Sequence, residues 1–270
     1  MPIPASTQLA EIQGMLANKI AAYNDPAAYT AGYNREYNNY ILARTAGIKA
    51  TGSLGAWIAD GGAGEVIQAL LVAFGMNARN SELVPLPALQ QALADINLTT
   101  ASWVASISLP LSVPPAKLLN PSTGATLLAE LQTIYHALAE PGSVTVSGGY
   151  VAASKTMHCL FPDLAPMIDG AHTGISYYNI VRATYVPPLG LGNWETWIGM
   201  RILGVVNPSP RGAGRHAWQW PQFMASIGVN QHIYELWQVG NGHPGFAAFM
   251  AIDPTPGTTG IPRIIDKGLW

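Results

Sequence analysis

Proline and glycine punctuate this chain from end to end, with 21 prolines and 28 glycines in 270 residues. Proline removes a backbone donor and stops a helix, and glycine weakens helices and strands alike. A chain divided in this way forms many short elements joined by many loops. Between the breaks, the apolar residues recur at helical spacing. Thr123 to Ala139 carries Leu127, Leu128, Leu131, Ile134, Tyr135 and Leu138, and Pro141-Gly142 closes it. Ser6 to Tyr23 carries Leu9, Ile12, Leu16 and Ile20 behind a capping Ser6 or Thr7, and Asp25-Pro26 ends it. Gly64 to Met76 reads as a buried helix entered through Gly61-Gly62-Ala63-Gly64, and Pro87 to Ile96 places Leu89 and Leu93 on one face.

Further helices are expected near residues 150–161, 172–183, 193–204, 228–239 and 243–251. Gly260 to Trp270 adds a last short one. Pro262 suits a first turn, and Ile261, Ile264, Ile265 and Leu269 form one apolar face. That face should dock on the body of the protein or on a neighbouring subunit. Strand signals are scarce. Ser102 to Leu111 alternates only in part, and Val144-Thr145-Val146 is short. The expected fold is mainly α, a compact multi-helix domain spanning 1–270. The proline-rich stretch near 109–121 either divides it into two helical subdomains around a cleft or is a loop inside one domain.

Charged residues make up 10% of the chain, against roughly 25% in ordinary soluble proteins. No apolar run reaches the length of a membrane span, and Val66 to Met76 is the richest window, so no membrane association is expected. The start, Met-Pro-Ile-Pro-Ala-Ser-Thr, lacks the pattern of a secretory signal. The single cysteine, Cys159, excludes an internal disulfide, a cysteine-rich zinc site and an iron–sulfur cluster. A cytoplasmic, reducing compartment is the matching expectation. A net charge of −2 argues against a protein that coats DNA, but allows a local basic face. The triplet Asn97-Leu98-Thr99 fits a glycosylation acceptor, a pattern that chance alone often produces.

The stretch from Ser154 to His172 carries the most chemistry. It reads Ser-Lys-Thr-Met-His-Cys-Leu-Phe-Pro-Asp-Leu-Ala-Pro-Met-Ile-Asp-Gly-Ala-His. Lys155 opens an apolar run, two prolines turn the chain, and Asp169 follows, next to glycine. A carboxylate beneath a sugar stabilises the positive charge left when an N-glycosidic bond breaks. An amine can capture the sugar carbon as an imine. Taken alone, Asp169 also suits a helix N-cap, and Pro162 suits an ordinary helix end.

Pro166-Met167-Ile168-Asp169-Gly170 resembles the Pro-Ile-Leu-Asp-Gly segment of the adenine-mismatch branch of the helix-hairpin-helix DNA glycosylases. His172 falls close to the Asp-x-His of a related branch, and Val144 to Tyr150, with Gly148-Gly149, is the nearest candidate for the hairpin. The resemblance covers about Val144 to Arg182. It implies a DNA-repair hydrolase that flips out and removes, or recognises, a damaged or mismatched base. In that reading Asp169 stabilises the sugar cation, and Lys155 is a candidate imine-forming nucleophile with lyase activity.

Other features are weighed against it. Arg211-Gly212-Ala213-Gly214-Arg215-His216 is the most basic cluster, and Arg182 lies upstream of it. With His172 these side chains are candidates for nucleic-acid binding beside Trp194, Trp197, Trp218 and Trp220. A solvated loop is the plainer reading. His158, His172 and Asp169 could form a two-histidine, one-carboxylate site. Histidines packed singly in helices are commoner, so no metal and no cofactor is expected. The glycines at 61–64, 147–149 and 190–192 lack the residues of a Walker or dinucleotide loop and read as tight turns. Tyr33, Tyr37 and Tyr40 share one helical face near Tyr23 and Tyr29. They suit either an interface or a tyrosine-lined core helix. An interface would favour the alternative function, a non-catalytic helical protein that forms a homo-oligomer through an apolar, tyrosine- and tryptophan-rich surface.

Overall fold

The computed structural model of the protein describes residues 16–77, 81–168, 219–255 and 258–269. These residues are mainly helical. The order is α1 (16–24), α2 (Ala31–Thr51), α3 (Leu54–Ala59), α4 (Gly62–Ala73), α5 (Leu86–Ala94) and α6 (Leu98–Val104), then α7 (Leu127–Ala139), α8 (Tyr150–Leu160), α9 (Gln219–Gly240), α10 (Phe246–Met250) and α11 (Gly260–Leu269). Among the described residues, β structure is limited to two isolated antiparallel bridges, Leu83 with Thr145 and Leu119 with Thr126. None of the described helices is long and apolar enough to cross a membrane.

Short polar side chains start several helices by accepting a hydrogen bond from an otherwise orphaned backbone N–H. Ser53 Oγ accepts from Ala56 N–H at 3.1 Å, and Thr126 Oγ1 accepts from Ala129 N–H at 3.2 Å. Asn97 Oδ1 accepts from Thr100 N–H at 3.0 Å, so the side chain of the Asn-Leu-Thr triplet is engaged as a helix cap. Pro87 stands in the first turn of α5, where its missing N–H has no helical partner to lose.

The layers assemble by burying apolar faces. α2 packs on α3 and α4, α3 on α6, α4 on α5, and α7 on α8, while α9 runs against α7, α8, α10 and α11. The α7 face expected from its spacing is buried: Leu127, Leu131, Ile134, Tyr135 and Leu138. Each aliphatic side chain of this kind stabilises by roughly 1.5–3 kcal/mol relative to exposure. Tyr135 stacks on Phe223 of α9 with ring centroids 5.0 Å apart. Where α2 meets Trp57 of α3, a Cβ on Gly47 would lie 2.2 Å from the indole nitrogen, so only glycine permits that approach.

The closing helix is buried on more than its apolar side. Ile261, Ile264 and Ile265 are fully buried, as the spacing predicts. Arg263, Asp266 and Lys267 are buried too, at 0%, 2% and 1% exposure. Arg263 donates to Asp266 at 2.7 Å and to Asn34 Oδ1 at 3.1 Å, and its guanidinium lies 4.2 Å over the Tyr37 ring. Lys267 Nζ lies 2.6 Å from Asp253 Oδ2 and donates to Asn24 Oδ1 at 3.2 Å. Burial pushes the Lys267 amine down to about 8, with the nearby Arg263 charge adding to the effect. A buried charge costs free energy unless it is paired and hydrogen-bonded. Here the partners come from α1, α2, Asp253 and Thr258, so α11 ties the first described helix to the last.

Candidate active site

α7 and α8 pack against each other and are joined by residues 140–149. Gly149 N–H donates to Ala139 O at 3.1 Å, closing the turn onto the end of α7. Gly148 has φ +68°, and a Cβ there would lie 2.6 Å from Ala139 O, so glycine is required on two counts. The turn is braced from outside: Val84 N–H donates to Val144 O at 3.1 Å, and Val146 N–H donates to Glu82 O at 2.8 Å. The residues 144–150 that the resemblance singles out thus form the link between two packed helices, and Gly149 leads directly into α8.

Lys155 sits in the second turn of α8 and is buried. Its ammonium donates to Phe74 O, just beyond the end of α4, at 3.5 Å and lies 5.5 Å from the centroid of the Phe74 ring. Ser154 points about 100° away from it around the helix, toward the chain that follows α8. The Ser154 hydroxyl accepts from Ile168 N–H at 3.2 Å, and its single proton faces Val151 O at 2.9 Å and Ile168 O at 3.1 Å.

α8 stops at Leu160 because Phe161 precedes a proline and leaves helical geometry, with φ −130° and ψ 62°. The carbonyls left open at the end of α8 are satisfied from α2. Tyr40 O–H donates to Cys159 O, and Arg44 donates to Leu160 O at 2.9 Å. Tyr37, one turn earlier, bonds His158 Nε2 at 2.8 Å. One face of α2 therefore reads three successive residues of α8. His158 Nδ1 contacts Ala165 O at 2.6 Å. A carbonyl only accepts, so Nδ1 carries the proton and Nε2 accepts from Tyr37. Burial, aided by the charges of Arg263 and Arg44, pushes His158 down from its ordinary 6.5 to about 3 despite the Ala165 bond, so the ring is neutral.

The loop after α8 is held on other sides as well. Leu109 N–H donates to Asp163 O at 2.9 Å, and Gly260 at the start of α11 approaches Asp163 so closely that a Cβ would lie 2.8 Å from its Cα. Burial raises the Asp163 carboxyl above its ordinary range, against the opposing effect of Arg44. Cys159 is also buried, and its thiol is pushed up to about 12, chiefly by burial, which keeps it from acting as a nucleophile.

Of the expected site residues, Lys155 is in a described helix. Asp169, His172, Arg182, Arg211, Arg215 and His216 lie outside the described residues, as do Trp194, Trp197 and Trp218. The metal reading loses His158, since both of its ring nitrogens are taken by protein partners. Among the described residues no group of three or more metal-ligating side chains comes together. Of the two readings of the tyrosines, three of them take the core one, and Tyr33 is half-buried. Tyr23, Tyr37 and Tyr40 are core residues whose hydroxyls meet Arg263, His158 and the Cys159 carbonyl, while Tyr29 is exposed. A tyrosine can enter a core when its hydroxyl has a partner there.

Sequence reasoning did not single out Ser154, Tyr37 or Arg44 as supports of the site. For Ser154 a signal existed. A serine amid Val151, Ala152, Ala153 and Met157 is placed to bond backbone rather than water. Comparison of the chain with family models, with curated proteins and with solved structures found no match.

Proposed function

We propose that this protein acts on nucleic acid as a DNA glycosylase-like hydrolase that removes or recognises a damaged or mismatched base. The observation that carries the reading is the return of the chain at Ile168 to the turn of α8 that holds Ser154 and Lys155. Asp169 is the next residue after that anchored point. The α7–turn–α8 pair, with its obligatory glycine ahead of the lysine helix, supports the same reading.

In the proposed reaction the glycosidic C–N bond of a flipped nucleotide breaks, and positive charge develops on the sugar. The Asp169 carboxylate stabilises that charge. The Lys155 amine, in its neutral form, bonds to the sugar carbon as the base departs with a proton, and cleavage of the ring C–O bond then gives the imine that permits strand scission. Arg182, Arg211, Arg215, His216 and His172 hold the phosphates. The test is base release from duplexes bearing oxidised, deaminated or mismatched bases. Asp169→Asn should abolish release while leaving duplex binding intact. A folded wild-type protein that releases no base from any of them overturns the proposal.

A further inference from the structure

Asn-Gly occurs once in the chain, at Asn241-Gly242. The pair follows Gly240, the last residue of α9, and both residues are exposed. They belong to the cap of that helix. Asn241 N–H donates to Trp237 O at 3.1 Å, Gly242 N–H to Val239 O at 3.2 Å, and His243 N–H to Gln238 O at 2.6 Å. Gly242 and His243 are both left-handed, with φ of 67° and 59°, as residues just past a helix C-terminus often are. The Asn241 side chain joins the cap, since its Nδ2 donates to Trp237 O at 2.9 Å. A Cβ on Gly242 would meet nothing within 4 Å, so the space beside its nitrogen is open. A primary amide thus stands in reach of water, next to a peptide nitrogen that no side chain shields.

We propose that Asn241 is a modification site, which deamidates in the native protein and thereby loosens the cap of α9. The Gly242 nitrogen gives its proton to hydroxide and bonds to Asn241 Cγ. The Cγ–Nδ2 bond breaks, ammonia leaves with a proton from water, and a cyclic succinimide remains. Water then opens the ring. Cleavage between Gly242 N and Cγ gives aspartate in an unchanged chain. Cleavage at the main-chain carbonyl of residue 241 gives isoaspartate, with the chain rerouted through the former side chain. Water is consumed, ammonia is released, and nothing is oxidised or reduced. The Gly242 nitrogen has only its bond to Val239 O to give up, and that bond lies in an exposed turn, where local opening costs little. The product carboxylate has no proton to donate to Trp237 O. It faces that carbonyl instead, at the negative end of a 22-residue helix whose last turn holds no basic residue. Phe249 of α10 packs edge-on against Trp237 and Tyr234, with ring centroids 5.2 and 5.0 Å away, so a looser cap reaches α10. The site is independent of the reaction proposed above.

The test incubates the full, folded chain in mildly alkaline buffer and maps its peptides by mass spectrometry. The peptide that holds Asn241 should gain the mass difference between an amide and an acid before any other asparagine peptide does. A methyltransferase specific for isoaspartate should label it. Asn241→Gln should show neither change over the same period. Asn241→Asp, made directly, reads the consequence. It should lower Tm by about 1–4 °C. Amide exchange at residues 241–243 should accelerate about fivefold, and by more than exchange in α7 and α8 does. An Asn241 left intact in the folded protein, or modified no faster than the other asparagines, overturns the modification site. Wild-type Tm and wild-type exchange in Asn241→Asp overturn the loosening of the cap.

Discussion

His158 should make the protein acid-sensitive in a way that one substitution abolishes. The ring is buried, donates through Nδ1 to Ala165 and accepts through Nε2 from Tyr37. Burial holds it neutral down to about pH 3, whereas an unfolded histidine takes up its proton near 6.5. Below about 6.5 the unfolded chain therefore binds one proton more than the folded one, and stability falls with pH through that window. At about 1.4 kcal/mol per unit, the full interval is worth up to about 5 kcal/mol. His158→Gln keeps a donor for Ala165 and an acceptor for Tyr37 but does not titrate. Urea unfolding followed by circular dichroism, at steps between about pH 7 and about pH 5, measures the difference. Wild type should lose about 1.4 kcal/mol per unit more than His158→Gln over the lower part of that range. The carboxylates titrate in both proteins and cancel from the comparison. Parallel loss of stability in the two proteins would refute the claim that a neutral, doubly bonded His158 holds the turn after α8.

Two further perturbations test the frame around the site. Asp266→Asn removes the charge facing the buried Arg263 and should destabilise by about 3–5 kcal/mol in urea unfolding, as for other broken buried pairs. Gly148→Ala forces a side chain into φ +68° and against Ala139 O, and should cost more than about 1 kcal/mol in the same assay.

The spacing of apolar residues marked α4, α5 and α7 well because each has one face against the core, and it marked the apolar side of α11. The reading failed where contacts distant in sequence decide the outcome. Arg263, Asp266 and Lys267 look like a solvated face when α11 is read alone. Arg263 and Lys267 find Tyr23, Asn24 and Asn34, which stand more than 200 residues earlier. The helix expected near 228–239 is already helical at Gln219, the first described residue of that stretch, and Pro221 does not end it. Ser102, part of a half-alternating stretch, belongs to α6, where its hydroxyl donates back to Leu98 O at 2.9 Å. At the site, Lys155 was legible as a lone lysine heading an apolar run. The Ser154–Ile168 and His158–Ala165 contacts were not, since they depend on how the chain turns after Pro162.

Borohydride trapping on a duplex with a single abasic site tests the central claim most directly. An imine between Lys155 Nζ and the sugar carbon is reduced to a stable bond, leaving protein covalently attached to DNA. Wild type should form this adduct, and Lys155→Gln should not, while binding the duplex as well as wild type does. No adduct from folded wild-type protein, or an equal adduct from Lys155→Gln, would contradict the assignment of Lys155 as the nucleophile.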